Sequence, residues 1–443
     1  MSLAPPASVG KLQRVLRVKA KESPSYRFYA LYDKVYRRDV LAHAYERCRQ
    51  NHGAAGVDGQ TFEDIQKYGL ERWLDELVQE LKEETYRPEA VQRAWIPKAD
   101  GKLRPLGIPT IRDRVVQMAT VLVIEPIFDE DMPPEQHAYR ADHDAHQALR
   151  DVQAWLDRGH VEVVDADLSG YFDSIPHHEL MKCVARRISD GRVLHLIKMW
   201  LQAPVEEKDA KGRKVRTTRN KDEGRGTPQG GVLSPLLANL YMRRFVLGWK
   251  VAGHEQRLDA RIVNYADDFV ICCQPGRAHE ALATMRRMMD KLRLTVNEKK
   301  TRLCRLSEGT FTFLGFTFGR QVSWKTGRAY VAPAPAERKI RAICERISTV
   351  TSRQTTGRDT AEQVARLNRL LRGWANYFRL GYVTRAWQVV QQHACRRFRW
   401  WIRRKLGLRG GVQGYPDLLL YNQYGLVNVL RTVRRLPLWA TTR

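Results

Sequence analysis

Two adjacent carboxylates, Asp267 and Asp268, stand in the string RIVNYADDFVICC (261–273), flanked by β-branched and aromatic residues that read as a hairpin. Paired acids in an apolar setting are costly unless a positive charge compensates them. A tight turn would aim both side chains at one point, a fitting ligand set for a hard divalent cation such as Mg²⁺. A second acidic strand end comes earlier. In VVDADLSGYFDSIPHHEL (163–180), Asp165 and Asp167 share parity, so they project from one face of an extended strand. With Asp267 and Asp268 they suit phosphoryl transfer by two metal ions, one activating a hydroxyl and both clamping the phosphoryl group. The plain alternative is a set of solvated strand-end acids.

Two more strings carry chemistry. GRGTPQGGVLSPLLANLYM (224–242) sets Gly-Gly and Pro before a helix, where backbone can approach a ligand and the Gln229 amide can hydrogen-bond it. Read blandly, it is a helix entry turn. Lys98, Lys102 and Arg104 lie in RAWIPKADGKLRPLGIPT (93–110), a hairpin pattern pausing at Asp100-Gly101, where cations would hold a triphosphate. A solvated hairpin is the alternative there.

The elements around these strings alternate. Residues 10–50 read helical with a break at Ser23-Pro24, and Leu74, Leu77 and Leu81 mark one helix face. Helices are predicted over 112–128, 235–249 (opened by proline) and 279–294, with strands over 161–168 and the aromatic run 311–318. This order predicts an α+β fold, a sheet covered by helices on one face. The segment 319–339, with turn residues and then Ala-Pro-Ala-Pro, reads as a linker. Beyond it the pattern is helical and basic: from Arg366 to Arg443 there are sixteen Lys or Arg against one acid, Asp417.

Composition narrows the partner. The 443 residues carry a formal net charge of +27, from 76 Lys plus Arg against 49 acids. Such a surplus opposes compaction and makes sense beside a polyanion, nucleic acid first and an acidic membrane surface second. No apolar run is long enough to cross a bilayer, and the opening MSLAPPASVGKLQRV lacks a secretion-signal core. Seven scattered cysteines without a Cys-x-x-Cys pair argue for a reducing compartment and against a zinc module.

The ordered strings KADGKLRPLGIPTIRDRVVQ, DADLSGYFDSIPH, GTPQGGVLSPLLANLYM, YADD, LTVNEKKTRL and FTFLGF resemble the reverse transcriptases encoded by bacterial group II introns. RLNRLLRGWANYFRLGYV (366–383) is similar to the maturase-specific thumb of that family, and GAAGVDGQTFEDI (53–65) to its N-terminal motif. The resemblance covers about residues 30–405. It implies a right-hand polymerase: fingers and a palm with an antiparallel sheet covered by helices, plus an all-α basic thumb or maturase domain. The expected boundaries are 1–92 for an N-terminal extension and the start of the fingers, 93–155 for fingers, 156–318 for palm, 319–335 for a linker and 336–443 for the thumb and basic tail.

Carried over by position, the resemblance implies that Asp167, Asp267 and Asp268 hold two Mg²⁺ ions, with Mn²⁺ a substitute; Asp165 ranks second to Asp167. Phe172 matches the bulky residue that excludes a ribose 2′-hydroxyl, its alternative being ordinary core. Gln229 would touch template or incoming nucleotide, Lys98 and Arg104 the triphosphate. Lys300 aligns with the lysine that protonates the leaving pyrophosphate, although Asn297-Glu298-Lys299-Lys300 replaces the usual Asn-Pro-Glu-Lys and leaves Lys299 a rival. HAYRADHD (137–144) keeps Arg140 of a template-gripping segment and loses the Pro-Gly turn and second arginine. In the thumb, Trp374 and Phe378 read as core, whereas Arg372, Arg379, Arg385, Arg396, Arg397, Arg403 and Arg404 read as phosphate contacts.

The implied partners are an RNA template, a structured intron RNA recognised by shape, a DNA primer or target and dNTPs, with no membrane, in the bacterial cytoplasm. The implied activity is RNA-directed DNA synthesis with maturase action in splicing and intron mobility. The last stretch, 411–443, holds no cysteine pairs and no His-Asn-His arrangement. The expectation is therefore that the endonuclease domain many relatives append is missing, so that insertion uses a DNA end or single strand made elsewhere. Two alternatives remain at this stage: a relative outside any intron acting in DNA repair or phage defence, and an RNA-binding splicing cofactor with a dispensable polymerase.

Overall fold

The computed structural model describes residues 3–97, 101, 103–209, 211–322, 327, 329–407 and 416–433. Lys98 and Lys102, two of the three cations expected on the early hairpin, lie outside them. The chain divides into two compact units. Met1–Ala148, Ala166–Phe269 and His279–Thr301 form the first; Leu149–Asp165, Val270–Ala278 and Arg302–Arg443 form the second.

Eleven strands are present among the described residues: β1 Val91–Pro97, β2 Leu103–Ile108, β3 Glu162–Ala166, β4 Val205–Lys208, β5 Lys214–Thr217, β6 Ala260–Tyr265, β7 Asp268–Cys273, β8 Arg302–Arg305, β9 Phe311–Phe313, β10 Phe316–Val322 and β11 Ala329–Pro335. They make sheets of order β2-β1-β4-β5, β6-β7-β3-β8 and β11-β10-β9. The expected hairpin over 93–110 is β1–β2, antiparallel with Ile96 opposite Arg104. β4 and β5 extend that sheet, β4 running parallel to β1.

In the first unit the helix Ile111–Asp129 is the buried axis, with nearly every residue from Ile111 to Phe128 out of solvent. Helices Ala7–Glu22 and Arg38–Gln50 pack on it. Thr110 caps it by accepting a hydrogen bond from the Asp113 amide at 3.1 Å. Asp113 in turn accepts from the Tyr86 hydroxyl at 2.6 Å. Leu74, Leu77 and Leu81 are buried on one face of Leu70–Lys82, as their spacing requires. Arg187 is wholly buried. Its guanidinium donates to the carbonyls of Ala20 at 2.9 Å, Ser23 at 3.1 Å and Pro24, and lies 3.3 Å from Asp131. It thereby ties the end of Ala7–Glu22 to the residues that follow helix His177–Ala185.

Two expectations are corrected in the second unit. The aromatic run 311–318 is two strands, not one. Phe311 and Phe313 are odd, Phe316 and Phe318 even, and this change of parity marks the turn. Leu314 (φ 48°) and Gly315 (φ 82°) form that two-residue turn with both residues left-handed, and all four rings are buried. The segment 319–335 is not a linker: β10 and β11 pair from Phe316↔Pro335 to Val322↔Ala329. Its prolines are compatible with pairing because Pro333 and Pro335 sit on an edge strand, where a missing N–H costs no ladder bond.

Helices Glu337–Val350, Thr360–Tyr377 and Thr384–Lys405 then close around one apolar core that includes Ile347, Leu371, Trp387, Val390, Phe398 and Trp401. The indole N–H of Trp387 donates to the Phe378 carbonyl at 2.8 Å, and that of Trp401 to Thr355 Oγ1 at 3.0 Å. Phe378 is buried and Trp374 packs half-buried against the core, as expected. The result is an α+β protein with antiparallel pairing and a helical, basic C-terminal region. Among the described residues no helix is long and apolar enough to cross a membrane.

Candidate active site

The antiparallel register of β3 and β8 sets Asp165 opposite Arg302. Continued by two residues, it sets Asp167 opposite Lys300. The Lys300 ammonium lies 3.2 Å from Asp167 Oδ1 and 3.3 Å from Oδ2, and Asn297 Nδ2 donates to Oδ2 at 2.9 Å. The backbone fixes the pair: the Asn297 amide donates to the Asp167 carbonyl at 2.8 Å, and the Asp167 amide to Thr301 Oγ1 at 3.3 Å. Strand parity thus selects Lys300 over Lys299 as the lysine beside Asp167.

Asp267 lies in the turn from β6 to β7, entered through Ala266 at φ 60°, and Asp268 opens β7. Buried Asn264 holds the turn, its Nδ2 donating to the Ala266 carbonyl at 2.8 Å. Segment 135–137 braces β6 from outside: Asn264 donates to the Glu135 carbonyl at 2.8 Å, and the His137 amide donates to Asn264 O at 3.1 Å. The flanking strands are buried, but Asp267 is half-exposed and Asp268 exposed. The picture of a buried acid pair is therefore corrected, since water reaches both carboxylates.

Beside them stands Tyr139, left-handed at φ 55°. Its hydroxyl pKa is raised, first by partial burial and then by the charge of Asp267, with Arg104 opposing and Asp268 adding. Tyr139 therefore shares one electrostatic neighbourhood with Arg104 and both aspartates. Arg104 Nε donates to Gln229 Oε1 at 2.9 Å, and Gln229 Nε2 donates to Asp173 Oδ2 at 3.0 Å. A cation, an amide and an acid are thus joined in series. The turn carrying Gln229 docks on β2, its carbonyl accepting from the Gly107 amide at 2.5 Å. Gly230, at φ 109°, fits there because a Cβ would strike the Gly107 carbonyl. Partial desolvation raises the Asp173 carboxyl from its ordinary value; Arg93, the Gln229 hydrogen bond, Arg104 and Arg219 pull it back.

Phe172 is buried, its ring edge-on to Tyr171 at 5.7 Å between centroids. Its carbonyl accepts from the Thr227 amide at 2.8 Å, linking it to the Gln229 turn. Asp173 and Tyr139 were missed in the sequence. Asp173 lies in the same string as Asp167, and Tyr139 adjoins Arg140, but neither position by itself signals a partner.

Arg140 is a correction. Its side chain is nearly buried and donates to Asp129 Oδ1 at 2.8 Å and to the carbonyls of Pro133, Gln136 and Asp129. A guanidinium so engaged clamps its own loop and is not offered to a template. Arg397 is corrected likewise: it donates to Thr351 Oγ1 and to the carbonyls of Ser348 and Thr351, at 3.0–3.1 Å. Arg372, Arg379, Arg385, Arg396 and Arg404 are exposed and Arg403 is half-exposed. Arg404 lies 3.9 Å over the ring of Trp400, with Arg397 at 5.0 Å.

No group of three or more His, Cys, Asp or Glu among the described residues is arranged to hold a metal ion. Asp167, expected to share metal ions with Asp267 and Asp268, accepts hydrogen bonds from Lys300 and Asn297. The donor chemistry still fits a divalent ion: hard carboxylate oxygens, accessible at Asp267 and Asp268.

Residues 96–318 match the family described as reverse transcriptase (RNA-dependent DNA polymerase). Residues 340–410 match the group II intron, maturase-specific domain. The chain is similar to protein YkfC of Escherichia coli (strain K12), at 32% identity over 370 residues, covering 74% of this chain and 93% of YkfC. It is also similar to the group II intron-encoded protein LtrA of Lactococcus lactis subsp. cremoris, at 32% identity over 246 residues, covering 54% of this chain and 39% of LtrA. Nuclear intron maturase 2, mitochondrial, of Arabidopsis thaliana shares 28% identity over 160 residues, 29% of this chain and 22% of that protein. The chain belongs to the reverse transcriptase family, and within it to the group II intron reverse transcriptases and maturases. It is an RNA-directed DNA polymerase with a maturase domain, and its chemistry depends on a divalent metal.

Proposed function

We propose that this polymerase extends a DNA primer along RNA using dNTPs and Mg²⁺, with two ions held by Asp167, Asp267 and Asp268, and that its helical domain binds structured intron RNA to assist splicing and mobility. The observation that carries the site assignment is the Asp167–Lys300 pair at the end of β3. Bound divalent cations supply the charge that activates the primer 3′-hydroxyl and steadies the phosphoryl oxygens. Lys300 gives a proton to the leaving pyrophosphate, Arg104 meets the triphosphate, and Gln229 orients the nucleotide from a turn docked on β2. Asp173 sets a carboxylate against Gln229, and Tyr139 stands near Arg104 as a neutral phenol. The exposed thumb arginines, with Trp400 beside Arg404, take RNA phosphates.

Primer extension on a DNA-primed RNA template tests the reading. Incorporation is expected with Mg²⁺, lost on chelation and restored by adding the ion back. Synthesis indifferent to chelation would overturn it. Phe172 gives a second expectation. Phe172→Ala is expected to raise the use of rNTP relative to dNTP by about tenfold or more, a pocket effect of ~1–3 kcal/mol. If that ratio stays fixed while stability drops, the buried ring is core alone.

A further inference from the structure

Apart from the residues of the candidate active site, helices His177–Ala185 and Ser234–Val251 border a cavity of about 250 Å³. Four cations line it, Lys182, Arg186, Arg243 and Arg244, with one acid, Glu179. Glu179 is already shared: Oε1 accepts from Lys182 at 2.9 Å and Oε2 from Arg244 at 3.0 Å. The nearby Asp131 carboxylate accepts from Arg186 at 2.5 Å and lies 3.3 Å from the buried Arg187. Arg243 reaches the same residue through its main chain, Nε donating to the Asp131 carbonyl at 2.7 Å. Four cations therefore share two carboxylates, and Arg243, the fifth, is held by a main-chain carbonyl.

Crowding of like charge in a partly desolvated space is unfavourable until an anion enters. Arg243 feels it: burial, then the charge of Arg186, hold its guanidinium below the ordinary value. Arg244 is steadied by lying 5.4 Å from the centre of the Tyr241 ring. A guanidinium carries five N–H donors, and the contacts above use one nitrogen each of Arg186, Arg243 and Arg244. Forked donors around a pocket match the tetrahedral oxygens of a phosphate.

We propose that this cavity is a docking point for a phosphodiester of a structured RNA, separate from the polymerising residues. Lys182 and Arg186 are exposed on its rim, so a phosphate that remains part of a strand can enter. The proposal rests on the reading that RNA is the macromolecular partner. It assigns a share of RNA affinity to the first unit in addition to the thumb arginines.

The test measures affinity of the full chain for a labelled structured RNA across a series of salt concentrations, for the native protein, Arg243→Gln and Lys182→Gln. Each variant is expected to weaken binding and to reduce the slope of log K against log salt by about 1. Extension of a short primer–template is expected to stay unchanged. Lys182→Gln lies on the exposed rim and decides the matter if Arg243→Gln fails to fold. Unaltered slope and affinity in the folded variants overturn the proposal. Inorganic phosphate is the second probe. If it stabilises the native protein and not the variants while the RNA slope is unmoved, the cavity takes a free oxyanion and the RNA assignment is wrong. A native protein that binds RNA but extends no primer would count against the polymerase reading and leave this test intact.

Discussion

Asp267→Asn is expected to cut dNTP incorporation on primed RNA by about a thousandfold or more, an effect of ~4 kcal/mol on the barrier. The substitution keeps shape and removes charge. The fold should tolerate it, because the turn is held by Asn264 Nδ2 on the Ala266 carbonyl and by the bracing of segment 135–137, not by the Asp267 carboxylate. Asp267 is half-exposed, so the amide is solvated rather than buried without a partner. Single-turnover extension with a thermal-melting control checks this. RNA affinity and assisted splicing should persist in the variant, since both are assigned to cations elsewhere. Retained synthesis in a folded variant would remove Asp267 from the metal-binding set.

The second large effect is on stability. Arg187→Met is expected to cost about 3–5 kcal/mol, the usual penalty for removing one partner of a buried ionic cluster. Methionine replaces the aliphatic stem but none of the donors. The carbonyls of Ala20, Ser23 and Pro24 would lose their common partner, and Asp131 one of its two cations. The urea midpoint of the first unit, followed by fluorescence, reads the loss. A change under about 1 kcal/mol would mean that water fills the vacated space and satisfies those carbonyls. Arg187 bonds to Ala20, Ser23, Pro24 and Asp131, residues outside the candidate active site, so primer extension by the folded fraction should be unaffected.

Much of the site was readable because strand periodicity places side chains without tertiary information. The β-branched runs around Asp267 and Asp268 define β6 and β7, and the parity of Asp165 and Asp167 follows from β3. What failed did so where one residue type serves two masters. Arg140 and Arg397 look like phosphate contacts in sequence, yet their donors go to acceptors whose placement depends on the fold. The hairpin β4–β5 escaped notice because Glu206, Lys214 and Arg216 give it the look of a solvated loop. It is held by pairing with β1 and by Glu206 binding both cations at 3.0 and 2.8 Å. The Arg104–Gln229–Asp173 series could not be foreseen, since it joins three separate strings. The metal role of the three aspartates came from resemblance, whereas the Lys300 contact to Asp167 comes from the pairing of β3 with β8.

The prolines of β11 have one more effect. An exposed outer strand offers its unpaired amides to any other chain able to align beside it, a common start of aggregation. Pro333 and Pro335 delete two of those amides, and the Pro333 carbonyl is already taken by the Tyr382 amide at 2.8 Å. The residues that disguised this hairpin as a linker thereby leave its outer edge fewer amides for another strand to pair with.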